Sequence, residues 1–147
     1  MGGSDMIGRR DAEYRLRVAQ GFLNEARQDV GLERWRSAVD NAQLAVENAA
    51  KAALALLGPV GRTHNPAIPL RQALGDGLFA TSLHQQIQRL VELAELMGPD
   101  IHTQTDYGDE MGGRTPWELF SQADARQALA MAEESVSLAR TIQEAAR

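Results

Sequence analysis

An alanine-paved stretch, LERWRSAVDNAQLAVENAAKAALALLG from Leu32 to Gly58, constrains this chain more than any other. Trp35, Ala38, Val39, Ala42, Val46, Ala49, Ala53 and Leu56 recur at alternating three- and four-residue steps, the period of a helix with one apolar stripe. Alanine has the best intrinsic helix propensity, and its single methyl lets neighbouring helices approach closely. A long central helix is therefore expected, ended by Gly58-Pro59. Glu47 and Lys51 stand one helical turn apart with the acid first, the favourable order for a surface pair worth about 0.2–0.5 kcal/mol.

The length of 147 residues suits one domain, 1–147, and is short for two. Hydrophobic residues at 44% and charged residues at 24% are globular values, which argues against compositional disorder. No apolar run approaches the roughly 18 residues of a membrane-spanning helix. The N-terminal MGGSDMIGRR lacks the apolar core of a secretory signal, so a cytoplasmic location is expected, with residues 1–9 read as a disordered tail or a cloning remnant. The absence of cysteine excludes disulfides, thiolate zinc sites and cysteine nucleophiles together. A net charge of -5 argues against whole-molecule attraction to nucleic acid and leaves open a local basic patch.

From about Arg10 to Val30, Tyr14, Val18, Phe22, Ala26 and Val30 recur every fourth residue, the mark of a first amphipathic helix that Gly31 can break. Its basic first turns, with Arg9, Arg10, Arg15 and Arg17, read as a solvated face. The short connection to the central helix predicts an antiparallel hairpin. GPVGRTHNPAIPL, residues 58–70, is a loop. Asn65-Pro66 resembles a helix start, but Pro69 would remove a donor, which places a short helix from about Pro69 to Leu74. Leu83, Ile87, Leu90, Val91, Ala94 and Met97 predict a further helix from Thr81, closed by Gly98-Pro99. Residues 98–120 show no helical period and read as a long loop. Ser121 and Asp124 form a capping signal for a final helix carrying Ala125, Ala128, Leu129, Ala132, Val136, Ala139 and Ile142. The sum is an all-α, up-and-down bundle of four long helices plus one short helix.

FLNEARQDV at Phe22–Val30, AVENAAKAALALLG at Ala45–Gly58, the THNPAIPL loop and the TPWELFSQADARQALAMAEESVSLARTI stretch together resemble the HEPN domains (higher eukaryotes and prokaryotes nucleotide-binding). Glu47, Lys51, Gly58, Thr63 and His64 match that pattern, while Asn65 stands where the family has aspartate. The resemblance implies a helical bundle, often a homodimer, often encoded with a nucleotidyltransferase-type partner, and in some branches an RNase toxin of a toxin–antitoxin pair. The RNase branches resemble one another in an arginine followed four to six residues later by a histidine. None of His64, His84 and His102 has an arginine at that distance upstream, Arg62 being too close to His64, which argues against the nuclease.

The candidate ligand residues are Arg62, Thr63, His64 and Asn65 in the loop before a helix start, with Lys51 beside them, because a guanidinium and an imidazole there can meet an anion. A polar loop residue holding the turn is an equally good account of His64. A metal set can be drawn from His102, Asp100, Asp106 and Asp109, but acidic glycine-rich loops are more often simply solvated. No metal or cofactor is assigned. Among the aromatic residues of the long loop, Tyr107 and Trp117 are candidates for a ligand contact, and Trp117 and Phe120 could stack a base. The favoured role of Trp117 and Phe120 is to anchor the loop on the bundle. No serine–histidine–acid order, phosphate-binding glycine loop or zinc spacing occurs. The expectation is a non-catalytic, HEPN-like binding and interaction module. It would be a homodimer that takes a nucleotide or RNA and pairs with a nucleotidyltransferase-type partner. The competing readings are a metal-independent endoribonuclease toxin and a purely structural helical oligomer.

Overall fold

Alanine at most inward positions of one helix allows two others to pack against it at once, and this sets the architecture. In the computed structural model, which describes residues 3–146, that helix is α2 (Trp35–Ala55), packed against both α1 (Gly3–Gly31) and α7 (Gln122–Ala145). Ala38, Ala42, Ala45, Ala49, Ala50 and Ala53 of α2 are all buried. The remaining elements are α3 (Ala67–Gly75), a 3₁₀ turn (Thr81–Leu83), α4 (His84–Leu96), α5 (Pro99–Tyr107) and α6 (Pro116–Leu119). The described residues contain no strand, only an isolated antiparallel bridge between Asp109 and Arg114. The bulk of the core comes from larger side chains on the outer helices, with Leu70, Ile87, Leu90, Val91, Leu93, Val136 and Ile142 fully buried.

The all-α fold with four long helices matches the sequence expectation, but several boundaries move. α1 begins at Gly3 rather than about Arg10, so the part of 1–9 from Gly3 onward is helical, while Met1 and Gly2 lie outside the described residues. Its added turns run along the end of α2, where a Cβ on Gly8 would come within 3.0 Å of the Ala55 carbonyl. α2 is shorter than Leu32–Gly58, because its first turn waits for a connection at 32–34 and its last residue is Ala55. α3 starts at Ala67, with Pro66 as its N-cap. Pro69 thus falls in the first turn, where an amide has no intrahelical partner and its loss is harmless. The segment 98–120 holds α5, α6 and a tight hairpin rather than one loop. α5 escapes the periodicity test because it meets the bundle through the fully buried Thr105 and the partly buried Ile101 and His102, of which only Ile101 is apolar. α6 and α7 each start on a capping box, Thr115 with Glu118 and Ser121 with Asp124.

The turn between α1 and α2 departs most from expectation. Gly31 does not break α1 but is its last helical residue. Closure comes further on: the Arg34 amide donates to the Asp29 carbonyl at 2.8 Å and the Glu33 amide to the Val30 carbonyl at 3.1 Å. This is a Schellman cap, and the residue in its left-handed position is Glu33, with φ of 59°. α3 closes with the same pair of bonds, Leu78 to Ala73 and Gly77 to Leu74, and there the left-handed residue is Gly77 with φ of 70°. Glycine adopts that conformation without penalty, whereas a residue with a Cβ is strained in it.

Candidate functional site

The loop singled out from sequence lies over the C-terminal half of α2. Lys51 Nζ is 3.1 Å from Glu47 Oε2, and both side chains are largely buried. His64 Nδ1 is 3.7 Å from the same carboxylate oxygen, on an imidazole whose side chain is 84% exposed. The Asn65 amide donates to Thr63 Oγ1 at 3.0 Å, and this bond shapes the loop before α3. Arg62 is exposed and makes no ion pair among the described residues. The fold therefore joins Lys51 and His64 through Glu47, an acid that the sequence reading placed only as the partner of Lys51. A buried carboxylate beside Lys51 offsets the attraction of that cation for an anion. Glu47 also accepts a long contact from Gln43 Nε2, which donates to the Met97 carbonyl at 3.3 Å, so this polar column runs into the core.

A second group of residues gathers at the other end of α2. Glu33, Arg34, Trp35, Arg36, Ser37 and Trp117 line one open cleft, which thus holds both tryptophans of the chain. Trp117 is 73% exposed, so it does not anchor the long segment onto the bundle. Phe120 does that, being buried in the core. The Arg36 guanidinium lies 5.6 Å from the centroid of the Trp117 ring, within cation–π range, and donates through Nη1 to the Thr105 carbonyl at 2.9 Å. Trp117 itself sits in α6, whose capping box fixes its start. The Thr115 hydroxyl and amide beside Glu118 hold that carboxyl below the ordinary glutamate range. Tyr107 is exposed at the end of α5 and does not line the cleft.

Hydrogen bonds tie the α1–α2 turn beside this cleft to α2. The Asp29 carboxylate, buried near the end of α1, accepts from Ser37 Oγ at 2.7 Å and from Asn41 Nδ2 at 2.8 Å. The carbonyl of Asp29 takes the Arg34 amide, so one residue ties the turn and the first turns of α2 together. Glu33 and Arg34 make no ion pair among the described residues and remain exposed on the turn.

His102 faces α2 next to this region. Its Nδ1 is buried and 3.4 Å from Asp40 Oδ1, and its Nε2 is 3.7 Å from Asp106 Oδ2. Thr105 Oγ1 lies between them, hydrogen-bonded to the His102 carbonyl at 2.7 Å and 3.2 Å from Asp40 Oδ1. Of the metal set drawn from sequence, Asp109 is turned away onto the Gly112 amide and Arg114. Among the described residues no group of three or more histidine and acidic side chains is arranged to hold a metal ion.

The architecture defines an all-α bundle of HEPN type, with its polar features distributed along α2. The chain belongs to the HEPN domain family, whose model matches residues 12–142. Among solved structures, the crystal structure of TT1696 from Thermus thermophilus is similar to it, with a TM-score of 0.67 at 21% identity, covering 89% of this chain and 97% of that one. That likeness is one of fold. No curated protein matches the chain.

Proposed function

We propose that this HEPN-domain chain is a non-catalytic binding and interaction module, a homodimer that takes a nucleotide or a short single-stranded RNA and pairs with a nucleotidyltransferase-type protein. One observation carries the ligand part of this reading. An exposed tryptophan is held by a capped helix at the mouth of a cleft, with Arg36 stacked on it and Arg34 unpaired beside it. Base–aromatic stacking contributes about 1–3 kcal/mol per base and is available to any base, while arginines meet phosphate. The loop before α3 offers Arg62 for the same task, but its His64 and the neighbouring Lys51 both face the Glu47 carboxylate. On a chain of net charge -5, few phosphate contacts give weak, salt-sensitive binding.

Fluorescence anisotropy of a short labelled single-stranded RNA tests this. The parent should bind it, more weakly as salt is raised, and Trp117→Ala and Arg36→Ala should abolish binding. Loss in Arg62→Ala or His64→Ala instead would move the ligand to the loop before α3, and no binding by the parent would overturn the ligand reading.

An endoribonuclease is the second reading, and one observation favours it. The sequence lacks the local arginine-to-histidine spacing, yet α2 and α5 bring an arginine and a histidine to one seam: Arg36 donates to the Thr105 carbonyl, and the His102 imidazole lies beside Asp40.

A further inference from the structure

We infer that the cleft between the α1–α2 turn and α6 selects a guanine base, with Glu33 reading the base edge, Trp117 its face and Arg34 the phosphate. The inference rests on the ligand reading above and names the ligand. Guanine presents two adjacent donors, N1–H and N2–H₂, on its Watson–Crick edge, and an ionised carboxylate is an acceptor-only group whose two oxygens match such a pair. Adenine and cytosine place a ring acceptor beside their amino group, and uracil flanks its single N–H with carbonyls. Each of these sets a lone pair against the carboxylate.

Three features of the molecule converge here. Glu33 and Arg34, neighbours of opposite charge on one turn, have no ion-pair partner among the described residues and line the same cleft as Trp117. Most of the Trp117 ring is open to solvent. Glu33 has the one positive φ outside glycine among the described residues, 59°, in a cap that α3 builds with Gly77. Strain of this kind gathers at functional sites, where the surrounding structure over-determines it. Here the Asp29 bonds to Arg34, Ser37 and Asn41 supply that support to the turn backbone that carries Glu33.

Since Trp35 and Trp117 are the only tryptophans, intrinsic fluorescence reports on the cleft directly. Guanosine 5′-monophosphate should quench the parent saturably and bind at least about tenfold more tightly than adenosine 5′-monophosphate, the discrimination of one good bidentate pair. Glu33→Gln and Glu33→Gly should both lose that preference. The glycine variant should also melt above the parent, which separates lost recognition from lost folding. Preference retained in both variants would overturn the role of Glu33. Equal binding of the two nucleotides by the parent, abolished in Trp117→Ala, would overturn guanine selection and leave the cleft as the nucleotide seat. Quenching by neither nucleotide would overturn both.

Discussion

Glu33 and Gly77 show what a single residue can hide. Both occupy the left-handed position of the same cap, but only the glycine announces it, and the glycine nearest the first turn, Gly31, sits inside the helix. Nothing local in the sequence marks Glu33. Whereas the Thr115–Glu118 capping box lies in a segment that reads as a loop, the Ser121–Asp124 box of the same spacing, a serine followed three residues later by aspartate, was legible. Arg36 with Thr105 and Asp40 with His102 were not, since these residues lie far apart in the chain and only the fold joins them. The same holds for Arg89 of α4, which grips Glu134 of α7 with Nε at 2.7 Å and Nη2 at 3.0 Å. The hydrogen bonds from Arg89 hold the Glu134 carboxyl below its ordinary range. A depressed carboxylate stabilises the fold above its unfolded pKa, and that contribution is lost as pH falls through its folded value. Arg89→Gln should therefore melt slightly below the parent at neutral pH, with the gap closing in acid and shrinking in high salt because the pair is exposed. Melting curves at neutral pH and at about pH 3 decide it; an undiminished gap in acid would mean that the arginine acts through packing alone.

At the scale of elements, periodicity was a reliable guide wherever a helix is buried along a continuous face, as α2, α4 and α7 are. It failed for α5, which touches the bundle through Thr105, Ile101 and His102, so only one apolar position carries the pattern. Of the residues singled out from sequence, Trp117 lines the cleft at the start of α2, while its neighbours there, Glu33, Arg34 and Arg36, carry no local signal. The loop with Arg62 and His64 is readable because its residues are adjacent in the chain, whereas the Trp117 cleft is assembled from the α1–α2 turn and α6. The central helix itself carries a firm prediction. Ala49 and Ala53 are 0% and 1% exposed in a helix flanked by α1 and α7. Ala49→Leu and Ala53→Leu should each overpack this contact and cost about 1–3 kcal/mol. Thermal or denaturant melts will show the loss, and variants that melt with the parent would mean that the neighbouring helices yield to the added volume.

For the whole molecule, the alanine stripe of α2 is covered within the chain, and exposed apolar side chains such as Leu57, Ile68, Leu78 and Leu96 lie elsewhere. The homodimer proposed above therefore has those residues to bury. Light scattering at micromolar concentration should give twice the chain mass, and a monomer persisting at high concentration would remove the dimer. The last expectation concerns chemistry. Cleaving RNA without a metal needs a cation on the phosphate and a proton-transfer group within reach of the reacting oxygen. Arg36 is committed to the Thr105 carbonyl and the Trp117 ring, and the Nδ1 of His102 is buried against Asp40. His64, though open to solvent, faces the Glu47 carboxylate rather than an arginine. Structured RNA incubated with the purified protein should thus stay intact. Cleavage by the parent that disappears in His102→Ala and Arg36→Ala would establish the nuclease across α2 and α5, while cleavage that disappears only in His64→Ala would place it at the loop before α3. Either result would replace the non-catalytic module with an enzyme, and would do so without disturbing the family or the fold.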